Sequence, residues 1–130
     1  MSLICSIIIG ITLALAAISK AIRDTLSYHF ETSIFKYYNP KFWNPSISWK
    51  NKYKNYPEDQ KAKFFGSKTF LVWITDAWHL FDMLSYLFLA ISFTIILPVN
   101  MDIVTAIALF VVYILMFFIS FEIIYKLIKI

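Results

Sequence analysis

Three long apolar stretches divide the chain. Leu3 to Ile18 carries no charge and continues as a helical pattern past Lys20. Phe70 to Leu97 is apolar apart from a polar set in its first half. Ile103 to Ile130 has Glu122, Lys126 and Lys129 as its only charges. A helix that crosses a bilayer needs about 20 mostly apolar residues. The pattern therefore predicts spanning helices at about 3–23, 70–97 and 103–125. Leu15-Ala16-Ala17 looks like a signal-peptidase site, but no Lys or Arg precedes it, so the expectation is an uncleaved helix.

Between the first two stretches the pattern changes. Tyr37 to Pro45 holds two Asn-Pro pairs, each of which favours a turn over a helix. Trp43, Trp49, Tyr53 and Tyr56 alternate with lysines, the mixture that a headgroup layer selects. Residues 36–66 read as a segment lying on the membrane face. Pro57-Glu58-Asp59 resembles a helix start, so a short surface helix is expected over 57–65. Pro98 and Asn100 make a short turn, which predicts an antiparallel hairpin of the second and third helices. The expected fold is one all-α integral membrane unit with three transmembrane helices and an aromatic, basic interfacial segment.

Composition agrees. The 130 residues are 60% apolar and 15% charged, where a soluble domain carries about a quarter charged residues. Polar disorder is excluded. One cysteine excludes an intramolecular disulfide, and two glycines leave no room for a glycine-rich phosphate loop or a dinucleotide fingerprint. All twelve basic residues fall on one side of this topology. The positive-inside rule then places the long connection and the C-terminus in the cytoplasm and the N-terminus outside, as in a bacterial inner membrane. The net charge of +4 is explained by anionic lipid and not by nucleic acid.

The polar residues gather at one depth. Counting about 20 residues in from each outer end reaches Arg23, Trp78 and Glu122. Lys20, Arg23 and Asp24 lie there on the first helix, Asp76, His79 and Asp82 on the second, and Glu122 on the third. Thr75, Asp76, His79, Asp82 and Tyr86 share one helical stripe. Gly10, Ala14, Ala17, Ala21 and Asp24 share another, with small residues of the kind that let membrane helices approach. Ionisable residues inside a span mark a candidate functional site.

Two chemistries suit this set. Asp76, His79 and Asp82 could act as acid and base, with Lys20 and Arg23 holding a phosphate or anionic headgroup. Alternatively, Asp24, Asp76, His79, Asp82 and Glu122 could ligate a divalent metal, Mg²⁺ or Mn²⁺ by their carboxylates, Zn²⁺ by the histidine. Either points to a membrane protein that binds or acts on a lipid headgroup. The competing expectation is a non-catalytic homo-oligomer, channel-like or an accessory subunit, in which the polar cluster only fixes helix packing. His29 lies about 140° round from Asp24 and is expected among interfacial aromatics.

Overall fold

A computed structural model of the protein describes residues 2–96 and 100–130. Three of its helices are long and apolar enough to cross a membrane: α1 (Leu3–Tyr28), α4 (Ala77–Ile96) and α5 (Ile103–Leu127). Two single-turn helices, α2 (Pro40–Trp43) and α3 (Pro45–Ser48), lie between α1 and α4. At about 1.5 Å per residue, the 20 residues of α4 make a helix about 30 Å long, about the thickness of a hydrocarbon core.

Caps set the boundaries. Ser2 Oγ accepts the Cys5 N–H at the start of α1, and Asp102 does the same for Val104 and Thr105 at the start of α5. The second span is shorter than its apolar run. Asp76 accepts the His79 N–H at 3.0 Å, so the helix begins at Ala77 and Phe70–Ile74 stay in turns.

α1 is the central helix and packs against both α4 and α5. Ile9, Ala16, Ala17 and Ala21 are fully buried on it. Its small residues allow close approach: a Cβ on Gly10 would stand 3.2 Å from Met116 Cε on α5. On the α4 side, Thr12 Oγ1 and Ser92 Oγ share a hydrogen bond of 2.7 Å. α4 and α5 do not close on one another as a tight hairpin. An apolar cleft of about 550 Å³ separates them, with Leu13 of α1 and the side chains of Phe93, Phe110 and Phe117 in its walls. Small residues are concentrated on α1, whereas α4 and α5 face each other with bulky ones that keep their backbones apart. The expected turn at Pro98 lies outside the described residues. No residue of α5 is buried.

The chain between α1 and α4 folds over one end of this bundle. Asn39 and Asn44 cap α2 and α3 through their side-chain oxygens, and Pro40 and Pro45 take the first helical positions. The ring of Trp43 stacks on that of Phe35 with centroids 4.8 Å apart. Leu26, Phe35, Ala77 and Ile128 form the small core beneath. The C-terminus joins the same end: the Ile34 N–H donates to Ile128 O at 3.0 Å, and the Ile130 N–H to Thr32 O at 2.8 Å.

One expectation is corrected here. In place of a helix over 57–65 there is a two-stranded antiparallel hairpin, β1 (Tyr53–Asn55) and β2 (Asp59–Ala62), so the fold is not purely helical. Asp59 turns its carboxylate to the Lys61 N–H, 2.9 Å away, instead of capping a helix. The buried Ser67 hydroxyl donates to Lys52 O at 2.8 Å and accepts the Lys63 N–H at 3.0 Å, which ties the open end of the hairpin. Tyr56 packs edge-on against Trp49. Asn51 Nδ2 then donates to Thr75 O at 3.0 Å and fastens the segment to the entrance of α4.

Candidate functional site at the basic end of the bundle

Two polar constellations stand where α1, α3 and α4 meet. The first is an ion network. Lys20 Nζ lies 2.8 and 2.9 Å from the two carboxylate oxygens of Asp24. Arg23 reaches both acids, with Nη1 3.0 Å from Asp24 Oδ1 and Nε 3.2 Å from Asp82 Oδ1. Arg23 and Asp82 each sit about five residues, or about 7.5 Å, inside the end of their helix. Two cations and two carboxylates cancel, which lowers the penalty of holding them at that depth. The guanidinium also lies over the Trp78 ring, 5.6 Å from its centroid, and the Trp78 indole N–H donates to Ser27 Oγ at 2.7 Å.

The second constellation, Asp76 and His79, flanks Trp78 in the chain. Asp76 is 1% exposed. Its Oδ1 accepts the His79 backbone N–H, and its Oδ2 is 2.7 Å from His79 Nδ1. Two N–H donors favour the ionised carboxylate. An ionised carboxylate only accepts, so Nδ1 donates its N–H to Asp76, which leaves Nε2 as the ring nitrogen not engaged by Asp76. The half-buried imidazole borders a pocket of about 220 Å³ lined by Pro45, Ser48, Trp49, Asp76, Trp78 and His79. Ser48 is 1% exposed, and its hydroxyl has no hydrogen-bond partner among the described residues.

The predicted site residues are thus divided. Asp76 and His79 come together, as do Lys20, Arg23, Asp24 and Asp82. Glu122 joins neither group. It sits on an exposed stretch of α5 and, among the described residues, has Lys126 as its only ion-pair partner, at 3.5 Å. Among the described residues no three of His, Cys, Asp or Glu converge as metal ligands. The expected metal set of Asp24, Asp76, His79, Asp82 and Glu122 is split three ways, because Arg23 takes Asp24 and Asp82 while His79 takes Asp76. Tyr86, expected on the polar stripe, is exposed on the outside of the bundle. His29 caps the end of α1 and packs edge-on against Tyr125 of α5.

Ser48, Asn51 and the indole of Trp78 were not singled out from the sequence. Ser48 belongs to a single helical turn, too short for any periodic pattern to display. The second Asn-Pro pair, four residues upstream, was the only local signal.

No protein-family model matches the chain, and neither a curated protein nor a solved structure matches it. The functional reading rests on the geometry of these residues.

Proposed function

We propose that this chain is a small membrane protein that acts on the headgroup region of a membrane lipid at the cytoplasmic interface. His79 is the general base, and Asp76 orients it. The single observation that carries the chemistry is the 2.7 Å approach of a buried Asp76 carboxylate to His79 Nδ1 at the edge of a pocket. That arrangement leaves Nε2 free to take a proton from an alcohol or a water.

The setting supports a lipid. Trp49, in the pocket wall, packs against Tyr53 and Tyr56, with Lys50 and Lys52 against these rings, a composition suited to the headgroup layer. Each lysine near an anionic surface adds about 1 kcal/mol of attraction. The one-sided distribution of basic residues supports a cytoplasmic placement for this end. Lys20, the more open of the two cations on α1, is suited to hold a headgroup phosphate in exchange with Asp24. Arg23, held between two acids and an indole, serves to fix the frame.

The test is lipid mass spectrometry on the protein reconstituted in mixed phosphatidylglycerol and phosphatidylethanolamine vesicles. The wild type should generate a lipid product, and His79→Gln should form it about 100-fold more slowly. Identical lipid profiles for the two proteins would overturn the reading.

A second reading is favoured by α5, which has no buried residue along its length. In that reading a second copy covers α5, and the ion network is packing glue. Cross-linking in the same vesicles would then give a discrete oligomer while the lipids stay unchanged.

A further inference from the structure

We infer that Ser48 is the nucleophile of this site and that the substrate is a carboxylic ester of a membrane lipid. The inference rests on the general-base reading of His79. Its own observation is separate. A hydroxyl removed from water ordinarily finds a partner, and an unsatisfied one costs about 1–3 kcal/mol. The Ser48 hydroxyl has none among the described residues, although the residue is 1% exposed. Ser48 also lines the pocket that His79 borders. A serine, an imidazole and a carboxylate on that imidazole's far nitrogen are the parts of a nucleophilic site. Contacts between nucleophile and base are commonly loose before substrate is bound.

The walls choose the substrate class. Pro45, Trp49 and Trp78 are apolar or aromatic, and the pocket lining includes no lysine or arginine. The nearby cations are engaged elsewhere: Lys50 and Lys52 lie against the Trp49 ring, and Arg23 lies between Asp24 and Asp82. A transferring phosphoryl group requires cations around its oxygens. A neutral acyl ester does not, and its chain can remain in the hydrocarbon while its carbonyl enters the pocket.

The step balances with water as the only co-reactant. Ser48 Oγ bonds to the ester carbonyl carbon, and its proton passes to His79 Nε2. The bond from that carbon to the alkoxy oxygen breaks, and the departing oxygen takes the proton from His79. Water then attacks the acyl-Ser48 ester, giving its proton to His79. The fatty acid leaves, and the proton returns to Ser48 Oγ.

The experiment uses the full chain in phosphatidylglycerol vesicles. Turnover is quenched in acid, and the protein is weighed intact and after digestion. The expected result is a fatty-acyl mass on the peptide containing Ser48 and none on Ser48→Ala. A fluorophosphonate probe should label the same residue, about 100-fold more slowly in His79→Gln. Thermal melting of Ser48→Ala and Ser48→Thr shows that the variants are folded. If His79→Gln loses turnover while folded Ser48→Ala keeps it, Ser48 is not the nucleophile and the general-base reading survives. If neither variant affects turnover, both readings fall. A folded wild type with neither acyl nor probe mass on Ser48 overturns the inference.

Discussion

Thr12 of α1 and Ser92 of α4 share a hydrogen bond of 2.7 Å in the middle of the bundle, both side chains buried. Ile8 O and Phe88 O lie within hydrogen-bond distance of the Thr12 and Ser92 hydroxyls respectively, so one hydroxyl donates across to the other helix while the other donates back to its own. The contact fixes the register of the two helices, and burial keeps water from replacing it. Interhelical hydrogen bonds in membranes are worth about 0.6 kcal/mol on average and up to about 1.7 kcal/mol. Ser92→Ala and Thr12→Val should each fall in that range in an unfolding titration in mixed micelles. The double variant should lose less than the sum, since one contact is removed twice. Strict additivity would show that the pair contributes no coupling.

Arg23 and Asp82 should respond unequally. Arg23→Leu leaves both Asp82 and Asp24 without the guanidinium, whereas Asp82→Asn leaves Arg23 its second partner, Asp24. The side chains are 19% and 27% exposed, so the cost is well below that of a fully buried pair. About 1–2 kcal/mol is expected for Arg23→Leu and under about 1 kcal/mol for Asp82→Asn. The same micelle titration checks the order; equal losses would mean that Asp24 does not share the guanidinium.

His79 and Asp76 separate function from fold. His79→Gln keeps the backbone N–H that Asp76 Oδ1 accepts and should preserve the melting temperature within a few degrees, while turnover falls about 100-fold. Asp76→Ala removes the cap of α4 as well as the partner of Nδ1. It should destabilise by about 0.5–2 kcal/mol through the cap and also lose turnover. Circular dichroism melts beside lipid mass spectrometry distinguish the two.

Gly10 tests the approach of α1 to α5. An alanine there meets only the mobile end of Met116, which can move aside. Gly10→Ala should therefore be nearly neutral. Gly10→Leu should cost about 1–3 kcal/mol by forcing the helices apart. A melting series on the two variants is sufficient, and equal effects would place the closest approach elsewhere.

Asp102 gives the pH dependence. Its carboxyl is held below the ordinary carboxylate range by the Thr105 hydroxyl, 2.6 Å from Oδ2, and by the Thr105 backbone N–H. A group whose folded value is depressed contributes stability above its unfolded value and loses it as pH falls through the folded one. The first turn of α5 should therefore be protected at neutral pH and fray progressively as pH falls below the usual carboxylate range. Amide exchange at Val104 and Thr105 reads this directly. In Asp102→Ala the exchange should be fast, and this acid-induced loss of protection should disappear.

The sequence alone determined the number of the long helices and their approximate places, though not the start of α4 at Ala77. Twenty or more apolar residues in a row are a one-dimensional property and need no partner to be recognised. Small residues four apart on α1 likewise marked its packing side, and Gly10, Ala17 and Ala21 are buried. The pairing of Asp76 with His79 was within reach because residues three apart share a helical face. What lay beyond reach depended on chain segments that meet only in space. The Asp59 carboxylate could cap a helix or brace a turn, and the choice fell to the Ser67 and Trp49 contacts around the hairpin. Asp24, Asp82 and Glu122 appeared at one depth, but depth is a single coordinate. The position of Arg23 between α1 and α4 decided which acids it would neutralise, and the rotation of α5 left Glu122 outside. Ser48 borders the pocket with His79 because contacts such as Asn51 to Thr75, residues 24 apart in the chain, fasten the segment between α1 and α4 over the start of α4.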